Sequence, residues 1–405
     1  MSENHPGKLK GPLKGVRVLD LTSVMMGPYA TQIFADLGAD VIKVESPTGD
    51  TTRHLPPGPE DNRGAMFMNL NRGKRSIALD LKVAEARQAL LTLCETADVF
   101  IHSMRGGAMK RLGLDYAAVS TANPRIIYAN LWGYGRNGRY ADQPAYDDIV
   151  QARSGIVDLQ GRHGGSEPRY LANIVADKVA GLTGAYAVMA ALYAREKTGE
   201  GQEVEVPMFE TLTSFVCVEH LMGAMFDPPL GPTGYGRVLS PERRPYRTSD
   251  GHIAVMVYTD RQWQNFFAAI GNPDWSQKDI FRSLRTRTEN VTEVLGHLGD
   301  TLKTRTTAEW LGVFEQAQLP AGPVNSLDDV IADPHMADVG YWQKRDTPDG
   351  RVRMSGLPTS FSATPGAVGD PGPKLGAHGR DVLAEAGLSD SDIAALVESG
   401  ALGGD

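Results

Sequence analysis

Cysteine is nearly missing from this chain. Cys94 and Cys217 are the two among 405 residues, each inside an apolar stretch, which excludes a disulfide framework and fits a reducing compartment. No uninterrupted apolar run reaches the roughly 18 residues of a membrane span. The opening "MSENHPGKLKGPLKG" has no apolar core of a signal peptide. A cytoplasmic protein without a membrane partner is the expectation. An excess of positive charge is missing too: the net charge of −8 argues against nucleic acid or an anionic surface as the main partner. The nine histidines form no H-x-x-x-H or H-E-x-x-H pair, so no metal site is expected. Neither a G-x-x-x-x-G-K-[ST] loop nor a G-x-S-x-G elbow occurs. "GYGRNG" (133–138) matches G-x-G-x-x-G after a strand, but the chain runs on as loop rather than opening a helix. A glycine-rich turn is expected there, not a dinucleotide site.

What is present is the composition of a soluble globular protein, 41% hydrophobic and 22% charged. The first third alternates strand-like runs (16–21, 41–44, 76–79, 99–102, 126–129) with helical ones (28–37, 83–96). Such alternation predicts an α/β fold with a mostly parallel sheet covered on both faces. Residues 227–236 are dense in proline and glycine and read as a linker or mobile loop. A strand at 251–258 and helices near 261–270, 288–302 and 307–316 then suggest a second, smaller domain, and 375–402 carries two more helices.

One stretch raises a sharper question. "ANIVADKVAG" (172–181) sets Asp177 before a run with no further charge between Lys178 and Arg195. Ala180, Gly184, Ala187 and Ala191 form a small-residue stripe, and Val179, Leu182, Tyr186, Met189 and Tyr193 an apolar one. A helix apolar on both faces is expected to be buried. By spacing alone Asp177 is an N-cap or first-turn acid of that helix, contributing about 0.5–2 kcal/mol.

The same stretch, extended as "ANIVADKVAGLTGAYAVMAALYAREKTGEGQEVEVPM", resembles the central segment of the class III CoA-transferases (formyl-CoA transferase-like). "GVRVLDLTSVMMGPYATQIFADLGADVIKVE", "NRGKRSIALDL", "ADVFIHSMRGGAMKRLGLDY", "NPRIIYANLWGYG", "AYDDIVQARSG" and "RRPYRTSDGHIAV" follow in the family's order, so the likeness covers essentially the whole chain. It implies a large Rossmann-like domain built from 1–226 and 332–405, a smaller inserted α+β domain at 227–331, and an interlocked homodimer. It also implies transfer of CoA from an acyl-CoA to a free carboxylic acid, with a small dicarboxylate as the default guess. The CoA thioester is then a substrate, and no permanently bound cofactor is expected.

Residue by residue, the resemblance makes Asp177 the nucleophile that forms a mixed anhydride and then an aspartyl-CoA thioester. It places Tyr146 and Met208 at the acyl site, Val24 and Met25 along the pantetheine, and Arg111 at the CoA nucleotide. Ser103 stands where formyl-CoA transferase has an asparagine that contacts CoA. Arg72, Lys74 and Arg75 read from the sequence as a local basic cluster suited to phosphates, or else as a solvated positive turn. A carboxylate suits the first step because it is ionised at neutral pH, and a helix N-terminus would help keep it so. Two other readings stay open. α-Methylacyl-CoA racemases share the fold but carry a histidine where this chain has Tyr146, a poor proton acceptor near neutrality. A non-catalytic acyl-CoA-binding protein would leave Asp177 without a task.

Overall fold

The computed structural model describes residues 9–59, 61–105, 107–165, 167–348 and 350–404. Two compact units emerge, one made of 1–154, 172–215 and 337–405, the other of 155–171 and 216–336.

In the first unit the chain runs β1 (Arg17–Leu21), α1 (Met26–Asp36), β2 (Asp40–Glu45), α2 (Ala65–Leu70), β3 (Arg75–Leu79), α3 (Ala84–Glu95) and β4 (Val99–His102). It continues with α4 (Ala108–Leu112), α5 (Tyr116–Ala122), β5 (Ile127–Trp132) and α6 (Asp147–Arg153). After α7 (Ile156–Gly164), which belongs to the second unit, come α8 (Val175–Thr198), β6 (Gln202–Pro207) and α9 (Met208–His220), within which the division between units falls. Six strands pair in parallel in the order β3-β2-β1-β4-β5-β6. The central strands are buried along most of their length because helices cover both sheet faces, with charged residues such as Asp20, Lys43 and Glu45 buried among the apolar ones.

The second unit holds α10 (Gly236–Leu239), β7 (Tyr246–Arg247), β8 (His252–Val255), α11 (Asp260–Ala269), α12 (Leu284–Glu289), α13 (Val291–Leu302), α14 (Thr307–Gln316), β9 (Ala321–Pro323) and α15 (Leu327–Ala332). β7, β8 and β9 make a small antiparallel sheet. Its core is aromatic, built on Trp263, Phe266, Phe281, Trp310 and Phe314. The one helix expected at 288–302 is two, broken at Asn290. α16 (Pro334–Asp338) precedes a hairpin of β10 (Trp342–Thr347) and β11 (Gly350–Ser355), which the sequence reading does not contain. α17 (Gly379–Glu385) and α18 (Asp390–Glu398) follow, α18 capped by Ser389 and Asp392 in a reciprocal box. β12 (Leu402–Gly403) then pairs antiparallel with β3, so both ends of the chain join one sheet.

By length and composition α8 would suit a membrane span. Here it is a core helix on one side only. Ala180, Gly181, Gly184, Ala185 and Val188 are buried, and a Cβ on Gly181 would lie 2.7 Å from the Met26 carbonyl oxygen of α1. Gly184 meets the Leu131 side chain of β5. The other stripe is not buried, contrary to expectation: Leu182, Tyr186 and Tyr193 are 48%, 62% and 67% exposed. The small-residue face lets α1 and the sheet come close, while the large-residue face is left exposed among the described residues.

Candidate active site

The strand order reverses direction between β1 and β4, where crossovers leave to opposite sides and open a crevice at the carboxyl ends. The turn after β1 and the turn after β4 meet there. The Ser23 amide donates to Ser103 Oγ at 3.2 Å. Two residues expected from different motifs, Ser103 and the Val24–Met25 pair, therefore lie in one loop cluster. Met25 is the buried N-cap residue of α1, and Val24 has a φ of +67°.

Asp177 is the third residue of α8, in its first turn, half-buried. It is not the cap. The N-cap position is Ile174, whose side chain cannot accept a hydrogen bond. The cap comes instead from another helix: Asp147 Oδ1, in the first turn of α6, accepts the amides of Ala176 at 2.7 Å and Asp177 at 3.2 Å. The Val175 amide goes to the Asn173 carbonyl at 2.9 Å. Gln151 ties the arrangement together, donating to Asp147 Oδ2 and to the Asn173 carbonyl. Sequence reading did not single out Asp147. Its signal was the doubled acid in "AYDDIVQ", two carboxylates opening a helix where one would serve as a cap.

Because the end amides of α8 are already taken, they do not steady a charge on Asp177 as the sequence reading supposed. Burial and the neighbouring Asp147 carboxylate instead push the Asp177 pKa up to about 6. At pH 7 such a group is still roughly nine-tenths ionised. No hydrogen bond or ion pair reaches its carboxylate among the described residues. It is a charged oxygen pair with its lone pairs free, made more basic than an ordinary aspartate.

Tyr146, the N-cap residue of α6, stands beside Asp147 and is 72% exposed. Met208 is buried where β6 passes into α9. Arg111, on α4, is exposed and has no carboxylate partner among the described residues.

The basic cluster needs correction. Arg72, Lys74 and Arg75 are 1%, 0% and 4% exposed and each is held by carboxylates of the sheet unit. Arg72 pairs with both oxygens of Asp36 at 3.0 and 2.6 Å. Lys74 reaches Asp20 at 3.0 Å, and Arg75 bridges Asp40 and Glu385. Burial pushes Lys74 down to about 8 despite Asp20, so it stays charged at pH 7. Buried charges of this kind persist because they are paired; they are not a surface offered to phosphate. "GYGRNG" is likewise engaged: Glu210 accepts the Gly135 amide at 3.0 Å and Glu205 the Arg136 amide at 2.6 Å. Its amides serve carboxylates of the protein, as a structural turn does.

Known proteins resemble this chain along most of its length. The profile of CoA-transferase family III matches residues 13–379. A succinyl-CoA:mesaconate CoA-transferase of Haloarcula hispanica is 34% identical over 391 residues, covering 93% of this chain and 97% of that protein. A succinate–glutarate CoA-transferase of Agrobacterium fabrum is 34% identical over 389 residues, covering 93% and 96%. Among solved structures, a CaiB/BaiF family protein from Brucella suis matches with a TM-score of 0.78 at 31% identity, over 93% of this chain and 100% of that one. The chain belongs to CoA-transferase family III and is a CoA-transferase.

Proposed function

We propose that this enzyme moves CoA from an acyl-CoA donor to a small dicarboxylic acid, with Asp177 as the covalent nucleophile. One observation carries the role of Asp177: its carboxylate sits at a helix start yet does not cap it, because Asp147 does. A carboxylate placed there only for stability would cap the helix or be favoured as a first-turn charge, whereas Asp177 caps nothing and burial and Asp147 raise its pKa to about 6. An Asp177 oxygen attacks the thioester carbonyl, the C–S bond breaks and CoA leaves as thiolate, giving a mixed anhydride. The thiolate attacks the aspartyl carbonyl and the donor acid departs as carboxylate, leaving an aspartyl-CoA thioester. The acceptor carboxylate then displaces the thiolate to form a second anhydride. The thiolate finally attacks the acceptor's acyl carbon and frees Asp177. Protons balance throughout without a general acid. Relatives named for mesaconate, glutarate and oxalate support a dicarboxylate as acceptor. Val24, Met25, Tyr146 and Met208 border the acyl and pantetheine parts, and Ser103 and Arg111 contact CoA.

The working unit is an interlocked homodimer. The bare face of α8, Leu182, Tyr186 and Tyr193, together with Phe215 of α9, exposes large apolar side chains that a second copy would cover.

The test is covalent trapping. Incubation with succinyl-CoA and hydroxylamine should convert Asp177 to a hydroxamate visible by peptide mass, and Asp177→Asn should abolish transfer while the protein stays folded. A hydroxamate mapped elsewhere, or a turnover-competent Asp177→Asn protein free of deamidation, overturns the assignment. Product masses from a panel of free acids identify the acceptor.

A further inference from the structure

The turn after β1 adopts a shape that its own sequence resists. Val24 has a φ of +67°, a left-handed conformation that a β-branched side chain strongly disfavours. Two buried groups hold it there. The Asp50 carboxylate accepts the Val24 amide with both oxygens, at 3.3 and 3.2 Å. Lys43 Nζ donates to the Thr22 carbonyl at 3.0 Å and pairs with Asp50 at 3.1 Å. Asp50 is itself fixed, its amide donating to Glu45 at 3.0 Å, and Glu45 is in a two-pronged pair with Arg53. Asp50 and Lys43 are 4% and 0% exposed.

What the turn delivers is the start of α1. The Met26 carbonyl lies so close to Gly181 that a Cβ there would be 2.7 Å away, and Gly181 is one helical turn past Asp177. Ser23 at the same turn is hydrogen-bonded to Ser103 across the crevice. The conformation of Val24 therefore fixes where β1 hands over to α1 beside the first turns of α8. Strain that the surroundings over-determine, next to a reacting group, is characteristic of functional loops.

We propose that Asp50 is a positioning residue for the CoA-thioester site, clamping the Val24 amide so that the 22–25 turn keeps its left-handed shape. This rests on the reading of Asp177 as nucleophile for its catalytic meaning. The competing account is purely structural: Asp50 caps the short turn Thr51–His54 and neutralises Lys43.

A double-mutant cycle separates the two. Glycine takes up a left-handed conformation without penalty, so Val24→Gly removes the need for a clamp. Asp50→Ala, which leaves no side-chain oxygen for the Val24 amide, should lower kcat/KM for succinyl-CoA roughly tenfold or more in the native background, but less than about threefold in the Val24→Gly background. The dissociation constant for CoA, measured by calorimetry, should show the same rescue. Equal losses in the two backgrounds overturn the proposal. Should Asp50→Ala not fold, the Lys43→Met/Asp50→Ala protein, which removes both buried charges together, takes its place in the cycle with the same expectations. Hydroxamate trapping of the native enzyme runs alongside. Trapping at Asp177 without rescue overturns only the role of Asp50; rescue in CoA binding without trapping at Asp177 overturns only the nucleophile.

Discussion

One carboxylate oxygen of Asp147 accepts the backbone amide of Asp177 at 3.2 Å and that of its neighbour Ala176 at 2.7 Å. The pair thereby divides two tasks that a single helix-start aspartate usually combines. Asp147 stabilises the end of α8, and Asp177 keeps its own oxygens unengaged.

That division predicts a pH effect. Among the described residues, the acidic and basic side chains on helices and strands packed against α8 are Asp147, Asp148 and Arg153 on α6, Asp36 on α1, which is bound to Arg72, and Glu203 and Glu205 on β6, both engaged by Arg136. Lys178 on α8 itself is held by Asn173 at 2.8 Å. Of these, the Asp147 charge is the one that raises Asp177, after burial. Asp147→Asn keeps an oxygen for the two amides and removes the charge. The acid limb of the kcat/KM profile for acyl-CoA should shift down by roughly half a unit or more, while burial still holds the pKa above an ordinary aspartate. A pH–rate series on the two proteins checks this, and an unmoved acid limb refutes it.

Asp177 should also cost stability. Its pKa in the folded protein, about 6, lies above the ordinary 3.8. Between those values the native state binds more protons than the unfolded one, so stability falls as pH rises through the window. Asp177→Asn removes that penalty. Its melting temperature should exceed that of the native protein at pH 7, with the gap closing towards pH 4. Melting curves across that range decide it; a gap independent of pH would point to another cause.

Arg111→Ala should weaken CoA binding about tenfold or more while leaving the KM for the free acid within about twofold, because charge-assisted contacts to phosphate are strong and local. Calorimetry with CoA and steady-state kinetics against the acceptor provide the comparison. Equal losses for both would remove Arg111 from the nucleotide site.

Association should depend on the bare face of α8. Tyr186→Glu puts a charge in the middle of a stripe that is 48–67% exposed in the single chain, and should reduce the dimer population and, with it, thermal stability at a given concentration. Sedimentation at several concentrations measures this. A native protein that is monomeric and active would overturn the homodimer.

How much of this was legible beforehand differs from residue to residue. The parallel order of the sheet followed from strands and helices in alternation, since a parallel neighbour needs a crossover of its own. The helix after Asp177 was visible in its small-residue stripe, of which Gly184 meets β5, while the close contact with α1 falls on Gly181, outside that stripe. The other stripe was misjudged, because an apolar pattern says that a face needs cover but not whether the same chain supplies it. β12 was not seen: two residues carry no periodicity, and they become a strand only because β3 offers an unpaired edge.

The sequence by itself determined the family, the mostly parallel character of the central sheet and the position of Asp177 at a helix start, because those depend on local pattern and on motifs kept in register. Only the tertiary structure decided what each charge does. Arg72, Lys74 and Arg75 are basic residues close together in the chain, yet packing brings Asp36, Asp20 and Asp40 to meet them from the preceding strands and helix. The sequence reading singled out neither Asp147 nor Asp50; folding placed one on the amides of α8 and the other on the amide of Val24. Charge pairing and hydrogen bonding act across a few ångströms of space regardless of separation along the chain, so a linear sequence shows the charged groups but not their partners.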